Sequence, residues 1–293
     1  MSFGHWLWWW CFHCCLDGDK RLEVKQSPVH RLNLFLMTAQ SFVDKDSIVR
    51  EIWGKGDTVL FIFAGAAAEF GLNKEVDWLY FTGRLPDDPL GRLFSTVEYA
   101  RTIVFSEDRS ALRAIDSINS IHHQVEKKRN ARISPGAYRD VLFMLIDYSI
   151  RSFEVMERKL SRPEKVEVFK VFNKVGNRMR IPGLPDDFDS WVTMRKEHLT
   201  QNLERSHYTD DLYTRYRLHL GWIRYWVLLE TQNMIVPVEV RSMLGFKRTS
   251  FIRPMIKLYK VGRKLGIDRY LRALILPAGY KKEIESLDLK PER

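Results

Sequence analysis

Cysteine is almost missing from the body of this chain. Its three cysteines, Cys11, Cys14 and Cys15, fall in one short N-terminal stretch, and residues 16–293 contain none, so no disulfide framework supports the main domain. Together with His13 they make half a metal site at most, because the second pair of ligands is missing and adjacent thiols are badly spaced for one ion. Glycine and proline are sparse, 16 and 11 of 293 residues, which excludes collagen-like and low-complexity chains. No segment repeats at a fixed period, so a solenoid is excluded too. Alternating apolar–polar runs closed by hairpin turns are lacking, which argues against strands. Nor does an apolar run reach the roughly 20 residues that a spanning helix needs. The two nearest, MSFGHWLWWWCFHCCL and TVLFIFAGAAAEFG, are both shorter. The first also lacks the basic flank and small-residue cleavage site of a secretory signal.

What is present is enough apolar material for a sizeable core: 45% of residues are hydrophobic and 13% aromatic, which favours one continuous domain over disorder. The formal charge of +10 is concentrated at one end. From Phe246 to Arg293 there are 13 Lys or Arg against 5 Asp or Glu, a balance of +8. Such a region suits an anionic surface, peripheral membrane lipid before nucleic acid, since no zinc-finger spacing or RNA-binding aromatic signature accompanies it. A solvated basic helical face is the plainer reading. Residues 1–36 look foreign to the rest of the chain. Their Trp cluster suits a membrane interface, and equally Met37 reads as an ordinary start, so residues 37–293 are taken as the helical domain.

Helix signals dominate from Asp44 onward. Asp46 is placed to cap a helix through Ile48, Val49 and Ile52 that Gly54 ends. The Ala- and Gly-rich run after Asp57 permits close approach of another helix or of a flat ligand. Leu90 to Phe105 carries Leu93, Val97, Ala100 and Val104 on one face, and the next helix, opened by Ser106 or Asp108, puts Leu112, Ile115, Ile118, Ile121, His122 and Val125 on one stripe. Ser134-Pro135 and Ser161-Arg-Pro163-Glu164 have the form of helix starts, the first running to Leu160. Further helices pass through Trp191 and, from Thr209 or Asp210, through GWIRYWVLLETQNMIV. Pro237, Ser250 and Pro277 punctuate shorter closing helices. The expected fold is all-α, one globular domain of roughly ten helices.

Three residues suggest chemistry. Arg92 and Thr96 are four apart and share a helical face, and His122 lies on the apolar stripe of the following helix. A cation beside a buried imidazole suits haem, whose iron takes a neutral nitrogen and whose propionates need a positive partner. On spacing alone, a histidine satisfied within the core is the commoner case. His198, His207 and His219 match no metal spacing and read as structural. Asp186, Asp187 and Asp189 lack the pattern of a cation loop and read as helix caps.

The stretches GRLFSTVEYARTIVF and SINSIHHQV resemble the central signature of the MpaB-type oxygenases, a family that includes the rubber-cleaving, latex-clearing enzymes. That signature is an Arg and a Thr four apart, followed by H-x-x-V, here Arg92, Thr96, and His122 with Val125. The AGAAAEFGLN run, the DPLGR loop and the IPGLPDDFDSWV segment resemble it too. The resemblance implies haem b with His122 as the iron ligand, Arg92 and Thr96 lining the haem pocket, dioxygen as co-substrate, and oxidative cleavage of an apolar, unsaturated, terpenoid-like substrate. His123, about 100° further round the helix, competes for the ligand role. Ser95 stands where rubber-cleaving members can carry an iron-capping lysine, so the resemblance does not extend to that residue. Glu75, ahead of the signature helix, is the candidate catalytic base. The expectation is therefore a haem-dependent oxygenase, cytoplasmic and at most peripheral to a membrane. The alternatives are a non-catalytic haem-binding or haem-sensing protein, and a basic helical scaffold with no haem.

Overall fold

Short oxygen-bearing side chains open five of the ten described helices. In the computed structural model, which describes residues 40–77, 89–247, 250 and 253–264, the first helix, α1 (Ile48–Trp53), is capped by Ser47, whose Oγ accepts from Val49 N at 3.1 Å. The cap is thus one residue beyond Asp46. Helix α2 (Gly56–Phe70) contains the whole Ala- and Gly-rich run, and a 3-10 turn over Lys74–Val76 follows. Helices α3 (Pro89–Phe105) and α4 (Asp108–Arg129) form a tight hairpin linked by Ser106 and Glu107. For residues 89–95 the backbone alone is described.

Helix α5 (Pro135–Met156) begins as its Ser-Pro start predicts, with Ser134 Oγ accepting from Ala137 N at 3.0 Å. It stops at Met156, short of Leu160. A reciprocal Ser161–Glu164 capping box opens α6 (Arg162–Arg178). Asp187 caps α7 (Phe188–Gln201), accepting from Ser190 N at 2.8 Å, as read from the sequence, while Asp189 pairs with Arg162. Helix α8 (His207–Ile235) starts after Ser206, earlier than Thr209, and α9 (Val238–Met243) and α10 (Arg253–Lys264) close the described chain. The ten helices match the expected all-α class. Among the described residues there is no strand, only the isolated pairings Ser41–Glu107 and Asn73–Leu203, and no helix is long and apolar enough to cross a membrane. The described residues from Ser41 onward form one compact unit. Residues 1–36, with all three cysteines, and Pro277 with most of the basic tail lie outside the described residues.

The centre of the fold is the crossing of α2 on α5. At Gly65 an added Cβ would stand 2.3 Å from the Tyr148 ring and 2.9 Å from Ile235 Cδ1. Gly65 is therefore spent on helix–helix approach, the first of the two uses expected for the run. Trp53, fully buried, packs beside Phe63 and Phe172 and donates its indole N–H to Ser149 Oγ at 3.2 Å. That bond satisfies the one polar atom of a large apolar side chain.

One expected stripe is corrected. On α4, Ile115 is buried, but Ile121 is 42% exposed. Apolar residues spaced by three drift about 60° backward per step around a helix of 3.6 residues per turn, so Ile121 has turned roughly 120° from Ile115. His122, seven residues on from Ile115, returns to within about 20° of it.

Candidate functional site

His122 lies late in α4, half-buried, with its Nδ1 cut off from solvent and without a hydrogen-bond partner. Its ring meets Tyr138, in the first turns of α5, edge to face at a centroid distance of 5.1 Å. Burial lowers the His122 pKa from its ordinary value, and the neighbouring His123 lowers it further, against the pull of Glu126. The imidazole is therefore neutral at physiological pH, the state in which a histidine nitrogen can ligate a metal. Tyr138 is pushed up to about 12, mainly by burial, so its hydroxyl stays protonated. His123 points outward: its side chain is 77% exposed and its Nδ1 sits 3.1 Å from Glu126 Oε2. Of the two adjacent histidines, His122 is the one turned inward.

Thr96 is on the exposed side of α3. Arg92 stands one helical turn earlier, and its side chain lies outside the described residues. Along the chain, Arg92 and His122 are each about 20–23 Å of helix from the Ser106–Glu107 link at 1.5 Å per residue. Glu75 is engaged at the start of α5, where its carboxylate accepts the Ser134 hydroxyl and lies 3.1 Å from the position a Cβ on Gly136 would take. Glu75, Tyr138 and His122 thus gather around one helix N-terminus. Among the described residues no three His, Cys, Asp or Glu side chains are placed to hold a metal ion. Haem asks less of a protein, because its macrocycle brings the equatorial nitrogens and a single side chain can supply an axial one. An inward, neutral histidine with an unpartnered nitrogen fits that requirement.

The most heavily buried charges in the fold were not among the sequence candidates. Glu69 on α2 takes both terminal nitrogens of Arg195 on α7, at 2.5 and 2.6 Å, and accepts the Tyr148 hydroxyl at 2.8 Å. Arg195 also reaches Asp147, at 2.9 and 3.1 Å, and Arg151 covers the other oxygen of that carboxylate at 2.7 Å. His198 bridges two acids, with Nε2 2.9 Å from Glu69 Oε1 and Nδ1 2.8 Å from Asp140 Oδ1. The Asp140 contact is a charge contact outside good hydrogen-bond alignment. Asn73 donates to Asp140 at 3.0 Å.

Burial would raise the Glu69 pKa, but Arg195 and then His198 hold it at about 2. Burial lowers that of His198, and the carboxylates of Asp140 and Glu69 more than reverse it, so the net direction is upward. With His198 protonated, three carboxylates face two guanidinium groups and one imidazolium, a neutral set. His198 is structural, as read from the sequence, but as a charged bridge. The sequence does hold a signal for this network: Glu69 and Asp147 are single acids inside apolar runs, where an ionised group survives only with a partner.

A separate open cavity of about 330 Å³ lies between α6 and the loop before α7, lined by Phe169, Lys170, Asn173 and Asp186 among others. None of Glu75, Thr96 or His122 lines it.

Among families of known proteins, the one described as "ER-bound oxygenase mpaB/B'/Rubber oxygenase, catalytic domain" matches residues 54–260. No curated protein and no solved structure matches the chain.

Proposed function

The chain belongs to the mpaB/B'/rubber oxygenase catalytic-domain family, and from that premise we propose that it is a haem b-dependent oxygenase with His122 as the iron ligand. The observation that carries the proposal is the inward, neutral His122 with its unpartnered Nδ1. Haem, when bound, supplies the iron at which dioxygen is activated, chemistry that no side chain of this protein offers.

The protein's own part is positioning and exclusion of water. Tyr138 packs against the His122 ring and restricts its orientation, while burial keeps the imidazole from protonating. Arg92, on the helix before that of His122, is proposed to meet a propionate, where a fixed cation offsets its charge. Thr96 is proposed to line the same pocket. Glu75, anchored at Ser134 one turn before Tyr138, is proposed as the carboxylate that accepts a proton from the substrate. The substrate proposed is an apolar, unsaturated, terpenoid-like molecule. Peripheral membrane contact is proposed for the basic region from Phe246 to Arg293, whose local charge is +8.

Protein expressed with haem precursor is expected to show a strong Soret band that is lost or shifted in His122→Ala. Colourless, folded wild-type protein that takes up no added haemin would sink the haem assignment. Glu75→Gln is expected to keep the Soret band and lose turnover of a terpenoid in the presence of oxygen. Turnover equal to wild type would remove Glu75 from the chemistry.

A further inference from the structure

Helix α8 is not one rod. Gly221 has φ 69° and ψ 172° inside it, and the chain doubles back there. Tyr213, on the arm formed by residues 207–220, donates its hydroxyl to Gln232 on the arm formed by residues 222–235, at 2.9 Å. In a straight helix these two would be about 28 Å apart. Leu212, Tyr216 and Leu220 pack with Tyr225 and Leu228 between the arms. The base is embedded in the core, where Gln232 Nε2 donates to Ala64 O at 3.1 Å and Ile235 is 1% exposed.

The tip is the opposite. Leu218 is 75% exposed, Trp222 77%, Ile223 58% and Trp226 43%, four of the nine large apolar side chains exposed among the described residues. Together they present on the order of 500 Å² of apolar surface, at the upper end of what a monomer shows. Around them, residues 212–229 read LYTRYRLHLGWIRYWVLL, with Arg215, Arg217, His219 and Arg224 and no acidic residue.

We infer that this hairpin tip is an interfacial anchor that seats on an anionic phospholipid surface. Tryptophan is the side chain best suited to the headgroup level, with an apolar body and one polar N–H. Arginines can lay their stems along the apolar patch and keep their charge at the phosphates. The arms rise about 12–16 Å beyond the Tyr213–Gln232 bond, enough to reach the headgroup–acyl boundary about 5–10 Å deep and far too short to span a bilayer. A second copy of the chain is a poorer occupant, because a two-fold contact would bring Arg217 and Arg224 of each copy against those of the other. The inference does not depend on haem, and it puts the anchor in a different place from the basic region after Phe246.

The test is co-sedimentation of the full chain with vesicles of phosphatidylcholine containing about 30% phosphatidylserine at low salt, beside pure phosphatidylcholine. Wild type is expected to bind the anionic vesicles. Trp222→Ala with Trp226→Ala is expected to weaken binding roughly tenfold or more, and so is Arg217→Glu with Arg224→Glu. All four side chains are at least partly exposed, and an unchanged thermal transition is expected to show that both pairs still fold. No binding by wild type would overturn the inference. So would binding that both variants keep, which would leave the membrane contact to the basic region. A wild-type dimer that the tip variants dissociate would give the surface to a second copy and overturn it too. Loading with haem is expected to leave vesicle binding unchanged, so this result and the Soret result are independent.

Discussion

Arg195 grips Glu69 with both terminal nitrogens, at 2.5 and 2.6 Å across 126 residues of chain, and neither side chain reaches solvent to a useful degree. The pair joins α7 to α2, and through Asp147 and Tyr148 to α5, so three helices share one polar centre. Removing one partner leaves the other charge buried and unpaired. Arg195→Met is expected to destabilise by about 3–5 kcal/mol, read as the shift in urea unfolding. A loss below about 1 kcal/mol would mean that the network adds nothing to stability.

The two inward histidines are expected to give opposite pH slopes. His198 has a raised pKa in the fold. Its contribution is complete below the ordinary value of 6.5 and is lost as pH rises through the folded value. His122 has a lowered pKa, so its contribution is complete above 6.5 and is lost as pH falls through its folded value. Unfolding free energies measured against pH should show the alkaline decline disappear in His198→Gln and the decline below 6.5 ease in His122→Ala. It is the slope that tests each assignment, since either variant can shift the overall level.

Two glycines are expected to resist substitution for different reasons. At Gly65 there is no room: overpacking against Tyr148 is expected to cost about 1–3 kcal/mol in Gly65→Ala. At Gly221 there is nothing within 4 Å of an added Cβ, but the backbone conformation is one that glycine alone adopts readily. Gly221→Ala is expected to cost a similar amount, about 1–3 kcal/mol, through strain. Thermal denaturation checks both. A neutral Gly221→Ala would argue that α8 does not double back there.

His122 and His123 separate by spectrum. With haem supplied, His123→Ala is expected to keep the Soret band of wild type, because that side chain faces solvent and pairs with Glu126. His122→Ala is expected to lose it while remaining folded, since the Nδ1 it removes has no hydrogen-bond partner. A band lost only in His123→Ala would reverse the ligand assignment.

Much of the fold was legible along the chain. Ser134-Pro135, the Ser161–Glu164 box and Asp187 open helices where local chemistry says they should, because a cap acts within three residues and needs no distant partner. That His122 turns inward and His123 outward was legible for the same kind of reason: a helical stripe selects one of two adjacent residues. Ile121 failed the same test because a run of threes rotates off the stripe. The doubled-back α8 was missed, because GWIRYWVLLETQNMIV keeps helical composition on both sides of Gly221 and a single glycine is tolerated in many helices.

What the sequence by itself determined is the class of the molecule: its helices, most of their starts, its family signature and the histidine that turns inward. All of these rest on interactions within a few residues, or on a periodicity that one helix carries alone. The pairing of Glu69 with Arg195, the bridging of Glu69 and Asp140 by His198, and the folding of Tyr213 onto Gln232 were decided by tertiary structure alone. Each joins groups far apart in the chain, and the free energy that makes them partners, the cost of leaving a charge or a polar group buried without one, exists only once the helices have packed.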